Sequence, residues 1–124
     1  MKLMVYGTLQ QGYWNNRLLA GARFIGQAVT NKEYVLFDCG FPMAVTAPTK
    51  YKPLPIIGEV YEVTQEQLER CDRLEGHPNW YKRELISARL GDRDEEVFIY
   101  EMPEKPSSVS LCNIVDNRYY RWVG

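Results

Sequence analysis

Two places in this sequence hold residue types that do chemistry. The first is Glu75. On a helical wheel over Gln65–Glu75, with Leu68 at zero and about 100° per residue, Cys71 falls at about 300° and Leu74 at about 240°. Glu66, Glu69, Arg70 and Arg73 fall at about 160°, 100°, 200° and 140°. These four make a charged face, with Glu66–Arg70 and Glu69–Arg73 at the i,i+4 spacing of helical ion pairs. Glu75 falls at about 340°, only about 40° from the centre of the apolar stripe. It also occupies the last turn, where the helix dipole disfavours an anion, and Asp72 three residues earlier has the same sign. Burial, dipole and like charge all raise a carboxyl pKa. An inward-facing carboxyl of raised pKa suits general acid–base catalysis near neutrality. The ordinary alternative is a helix-end glutamate that reaches solvent or pairs with Arg83. The single histidine, His77, reads as a turn residue in Gly76-His77-Pro78, with a second titrating group as its other reading.

The second place is Val5-Tyr6-Gly7-Thr8-Leu9. A glycine straight after an apolar run can take a positive φ and lets a group approach the backbone closely. Successive N–H groups in such a turn can cradle an anion or oxyanion, and the Thr8 hydroxyl adds a donor. The segment lacks the lysine and second glycine of a phosphate loop. As a bare pattern it is weak and reads first as an ordinary turn.

Short β-rich runs surround these places. Leu3–Tyr6, Arg23–Val29, Glu33–Phe37, Met43–Ala47, Ile56–Val63, Arg83–Leu90 and Glu95–Met102 read as strands bounded by turn residues. Gly58 marks a bulge or a close approach. Gly91-Asp92-Arg93-Asp94 reads as a hairpin connection. Val97–Tyr100 is almost continuously apolar, as for a strand covered on both faces. Trp14–Ala20 reads as a short helix ending at Gly21. Gln65–Glu75 is the stronger helix. Thr64 caps it, Gln67 completes a capping box, Val63 staples against Leu68, and Gly76 with Pro78 stops it. Thr49–Pro55 and Met102–Ser108 read as loops. Asn117–Val123 fits a final strand or helix equally. The sum is an α+β fold: one domain over residues 1–124, a mixed curved sheet or small β-barrel flanked by short helices.

Composition bounds the function. The 124 residues include 45% apolar and 25% charged residues, ordinary globular usage. Mass scaling gives a folded surface of about 6,900 Å² against about 21,000 Å² unfolded, enough burial for a core without disulfides or metal. Fifteen basic and sixteen acidic side chains leave a net charge of −1, which argues against a dedicated nucleic-acid binder. No apolar run approaches a membrane span, and the apolar start is too short for a signal peptide. The three cysteines, Cys39, Cys71 and Cys112, fit reduced thiols in a cytoplasmic protein. One histidine leaves little for a zinc site.

Three segments in order carry a resemblance. They are Val5-Tyr6-Gly7-Thr8-Leu9 with Gly12 and Asn15, then Gly58-Glu59-Val60-Tyr61-Glu62-Val63, then Asp72-Arg73-Leu74-Glu75-Gly76-His77-Pro78-Asn79-Trp80-Tyr81-Lys82-Arg83. From Leu3 to about Met102 the chain resembles the γ-glutamylcyclotransferase-like family, in its γ-glutamylamine cyclotransferase and AIG2-like branch. The resemblance implies a compact mixed β-barrel with flanking helices and a substrate cavity lined by Tyr6, Gly7, Thr8 and Leu9. It implies Glu75 as catalytic acid/base and Tyr100 as a further cavity residue. Tyr81 and Arg83 match the motif and read as structural anchors. The implied reaction closes an L-γ-glutamyl amide to 5-oxoproline with release of the amine, without cofactor or metal. The implied partner is that small molecule, not nucleic acid or membrane, and the implied state is a monomer or weak dimer. The segment between the first motif and Gly58 is short, with compact loops, and the tail Asn113–Gly124 matches nothing in the family, which leaves the leaving group open. Three other readings stand beside this one: a non-catalytic binding module on the same fold, a thiol enzyme using Cys39, Cys71 or Cys112, and single-strand nucleic-acid binding through the aromatics.

Overall fold

Alternation along three strands determines the architecture. In a computed structural model, residues 1–106, 110, 111 and 113–124 are described; Cys112, Ser107 and Ser108 fall outside them. Strand β1 (Lys2–Val5) sends Met4 into one buried cluster and Leu3 and Val5 into another. Strand β5 (Ile57–Glu62) divides Val60 and Tyr61 in the same way. Strand β7 (Arg93–Glu101) places Val97 and Ile99 in the first cluster and Tyr100 in the second. Side chains on a strand alternate sides, so these strands separate two cores. This accounts for the apolar run Val97–Tyr100, of which only Phe98 is half-buried.

These strands, with β2 (Arg23–Thr30) and β6 (Lys82–Leu90), close a barrel in the order β1-β5-β2-β6-β7. The β1–β7 contact is parallel, through Leu3 and Phe98, and the other pairs are antiparallel. Gly58 serves close approach: a Cβ there would lie 2.4 Å from the Val5 carbonyl oxygen. The bulge falls instead in β2, where register shifts between Phe24 and Gly26. The β6–β7 hairpin is tighter than the sequence suggests. Leu90 pairs with Arg93, leaving Gly91 and Asp92 as the turn, with Gly91 at φ +67°.

Strands β3 (Val35–Asp38) and β4 (Pro42–Val45) form a hairpin joined by β8 (Ser110–Leu111). Its Val35, Phe37 and Val45 enter the second core. The C-terminal segment resolves as a strand: β9 (Asn113–Val115) pairs with β10 (Tyr119–Arg121), and Tyr120 and Trp122 join the first core. Trp14–Leu19 is a short 3-10 helix. The solvent-accessible surface is 6852 Å², the value expected of a compact chain of this mass. Among the described residues no helix is long and apolar enough to cross a membrane.

The α-helix, α1, spans Gln65–Glu75. Thr64 Oγ accepts from the Gln67 amide at 3.1 Å, and Gln67 Oε1 accepts from the Thr64 amide at 2.9 Å, completing the capping box. Gln67 also donates to the Ala20 carbonyl at 3.1 Å, tying α1 to the 3-10 helix. Leu68 and Cys71 are buried and Val63 packs in the same core, whereas Leu74 is 37% exposed. The apolar stripe therefore runs out one turn before the helix ends. Arg70 pairs with Glu66 as spaced, while Glu69 accepts from Gln65. Gly76 ends the helix at φ +69°, a left-handed conformation that costs glycine nothing.

Candidate active site

The turn after β1 is built by packing against the β3–β4 hairpin. A Cβ on Gly7 would lie 2.5 Å from Pro42 Cγ, so no larger residue fits without displacing that proline. The sequence suggested a positive φ at Gly7; the backbone does not adopt one, and contact with Pro42 is the reason for glycine. Past Gly7 the chain turns tightly, the Gln10 amide donating to the Gly7 carbonyl at 3.0 Å. The 3-10 helix holds the outer side. Asn15 donates to the Thr8 hydroxyl at 2.9 Å, and Asn16 donates to the Leu9 carbonyl at 2.8 Å. Thr8 Oγ thus accepts from Asn15 and keeps its own hydrogen to donate. No hydrogen bond among the described residues occupies the amides of Thr8 or Leu9.

Glu75 reaches the same place from α1. Past Gly76 the chain folds back, with the Trp80 amide on the Gly76 carbonyl at 2.8 Å and the Tyr81 amide on the Glu75 carbonyl at 3.2 Å. The side chain is half-buried, and burial pushes its carboxyl up to about 7. Burial is the cause the structure supplies; the like-charge effect expected from Asp72 is not among those that shift Glu75. Asp72 is instead engaged by the Arg83 guanidinium and by the Tyr100 hydroxyl, the latter at 2.7 Å. Arg83 is therefore the partner of Asp72 and not of Glu75. His77 stays in the turn, its Nδ1 accepting from the Arg83 amide at 2.9 Å.

Glu75, Tyr6, Gly7, Thr8, Leu9 and Tyr100 all line one cavity of about 350 Å³, at the small end for a ligand pocket. The phenols around it are fixed internally. Tyr6 donates to the Tyr100 carbonyl at 2.6 Å and accepts from the Ala44 amide at 3.3 Å. Tyr81 donates to the Pro42 carbonyl. Burial raises the pKa of the Tyr6 and Tyr81 hydroxyls, and the charge of Glu75 raises both further, which marks its nearness to them. Tyr100 lines the cavity while its hydroxyl donates to Asp72.

The sequence reads Tyr81 as a structural anchor; it anchors Pro42 and also lines the cavity. Leu74 and Trp80, motif residues with no cavity role implied by sequence, also line it, as do Phe41 and Pro42. For Trp80 the signal lay five residues past Glu75, inside the motif. For Phe41 and Pro42 there was none, since only the fold brings the β3–β4 turn to the end of β1.

Among the described residues the thiols, Cys39 and Cys71, do not form a second centre, and Cys112 lies outside them. Burial pushes Cys71 up to about 12 and raises half-buried Cys39 as well, so neither is a thiolate at neutral pH. Among the described residues no cluster of three His, Cys, Asp or Glu side chains could hold a metal.

A barrel of this kind, with its cavity between turn, hairpin and helix, has known relatives. A protein of Methanocaldococcus jannaschii, named provisionally as a γ-glutamylcyclotransferase, is 38% identical over 104 residues, covering 82% of this chain and 84% of its own. The γ-glutamylaminecyclotransferase of Bos taurus is 33% identical over 114 residues, covering 84% of this chain and 67% of its own. Among solved structures, an AIG2-like protein of Mus musculus superposes with a TM-score of 0.76 at 22% identity, covering 97% of this chain and 94% of its own, and shares the fold. The family model described as gamma-glutamyl cyclotransferase, AIG2-like, matches residues 3–121, so the match runs past Met102 and takes in 113–121 of the tail that the motif resemblance leaves unmatched. Matched over that span, and 38% and 33% identical to the first two of these relatives over the aligned residues, the chain belongs to the AIG2-like γ-glutamyl cyclotransferase family.

Proposed function

We propose that the protein closes an L-γ-glutamyl amide to 5-oxoproline and releases the amine. The observation that supports this most is a poorly hydrated Glu75 carboxyl, pushed up to about 7, in the same cavity as the Gly7–Leu9 turn. The glutamyl α-amino nitrogen attacks the side-chain carbonyl carbon. One C–N bond forms within the five-membered ring and the amide C–N bond breaks. Both reacting groups belong to one molecule, so holding it folded supplies much of the acceleration. Glu75 takes one proton from the α-ammonium and returns it to the leaving nitrogen, and the second proton that the attacking nitrogen sheds on becoming the lactam N–H ends on the released amine, which leaves as an ammonium; each role of Glu75 contributes roughly 10²–10⁴-fold. The amides of Thr8 and Leu9 and the Thr8 hydroxyl hold the substrate carboxylate or the developing oxyanion.

The test is release of 5-oxoproline from γ-glutamyl amides, γ-glutamyl-ε-lysine among them. Turnover should show a limb near pH 7, where Glu75 becomes a base, and Glu75→Gln should lose at least about 10³-fold. Full turnover by Glu75→Gln would refute the assignment. Binding without product would favour a non-catalytic module on the same fold.

A further inference from the structure

The cavity has a buried end and an open one. Tyr6, Gly7, Leu9 and Tyr81 are buried, whereas Trp80 is 46% exposed and Leu74 37% exposed. Phe41 meets Trp80 edge-on with ring centroids 5.5 Å apart, and Trp80 meets Tyr81 at 5.0 Å. The mouth is thus an apolar surface left uncovered. Glu75 is the only charged side chain among the described residues that line the cavity; no lysine or arginine is there.

On the cyclotransferase reading, we propose that the released amine carries a neutral apolar or aromatic substituent, seated against Phe41, Leu74 and Trp80. The glutamyl unit must take the buried end, because it needs both Glu75 and the free amides of the turn. Whatever the amide nitrogen bears then projects through the mouth. A carboxylate there, as in an amino-acid leaving group, meets no cation and faces an ionising Glu75. An ammonium is attracted by Glu75 only while that carboxylate is not serving the glutamyl α-amino group; otherwise it meets ring faces, and cation–π attraction at an exposed ring is weaker than burial of a whole apolar group. A benzyl-sized substituent covers Leu74 and extends the edge-to-face series of Phe41, Trp80 and Tyr81.

The experiment compares the γ-glutamyl derivatives of benzylamine, methylamine, the lysine ε-amine and alanine, following 5-oxoproline. The benzylamide should exceed the lysine and alanine compounds at least about tenfold in kcat/KM. Trp80→Ala should lower the benzylamide-to-methylamide ratio by about the same factor, through KM. Leu74→Ser, at a second exposed position, should lower it in the same direction. Preference for the lysine or alanine compound, or a ratio unmoved by both variants, overturns this inference and leaves the cyclotransferase reading standing. Absence of 5-oxoproline from all four overturns that reading and this inference with it.

Discussion

Glu75 is held in a place that disfavours its charge, so the fold carries a pH-dependent cost there. With the folded carboxyl at about 7 and an ordinary value of 4.5, the folded chain keeps a proton that the unfolded chain has released. Stability therefore falls as pH rises from about 4.5 to about 7, and above that the loss is complete. The difference corresponds to at most about 3 kcal/mol. Glu75→Gln cannot ionise, so relative to the parent it should gain up to that amount at pH 8 and nothing comparable at pH 4. Urea unfolding of both proteins at both pH values measures this. An equal difference at the two values would mean the carboxyl is as well hydrated folded as unfolded. This residue was legible in the sequence because its misfit is local: an acid on an apolar stripe, one position before a glycine stop. Tyr81 was half legible, since its motif position spoke of anchoring while its place in the cavity depends on Pro42, 39 residues away.

At the scale of elements, α1 matters for where it stops. Gly76 ends the helix and starts the return that brings Trp80 and Tyr81 beside Glu75. A Cβ at Gly76 would sit 3.1 Å from Trp80 Cβ, in a left-handed conformation that costs an L-residue about 1–2 kcal/mol. Thr64→Ala removes the cap at the other end for about 1 kcal/mol without touching that return. Gly76→Ala should therefore lower kcat/KM for a γ-glutamyl amide well beyond its effect on stability. Thr64→Ala should lower stability and leave turnover per folded molecule nearly unchanged. Denaturation curves beside the 5-oxoproline assay test the contrast, and parallel losses in both variants would break the link between the helix stop and the site. Both ends of α1 were readable because capping is a contest among residues three or four apart. The bulge was not: Gly58 and Gly26 look alike in sequence, and only the β1–β5 approach at Val5 distinguishes the close contact from the register shift.

For the whole molecule, the joins that matter are non-local. The barrel closes between Leu3 and Phe98, and no period or turn signal joins residues so far apart in the chain. A second join links the barrel to the outer hairpin. Glu101, near the end of β7, is buried and accepts from Lys32 Nζ at 2.7 Å and from the Tyr34 hydroxyl. Lys32 follows β2 and Tyr34 precedes β3, so the carboxylate fastens the segment where the chain leaves the barrel for the hairpin. The Lys32 side chain is 43% exposed and that of Glu101 7%, so the pair is worth less than a fully buried one but more than a surface contact. Lys32→Met leaves a buried carboxylate with the Tyr34 hydroxyl as its remaining donor of the two. The loss should be about 1–2 kcal/mol by chemical denaturation, with Lys32→Arg retaining most of the stability. Lys32 does not line the cavity, so turnover per folded molecule should hold in both variants. A Lys32→Met protein as stable as its parent would mean that water already serves Glu101 there, and that the hairpin is held over the site by the packing of Val35, Phe37 and Val45 and by the hydrogen bonds of Pro42 and Ala44 to Tyr81 and Tyr6.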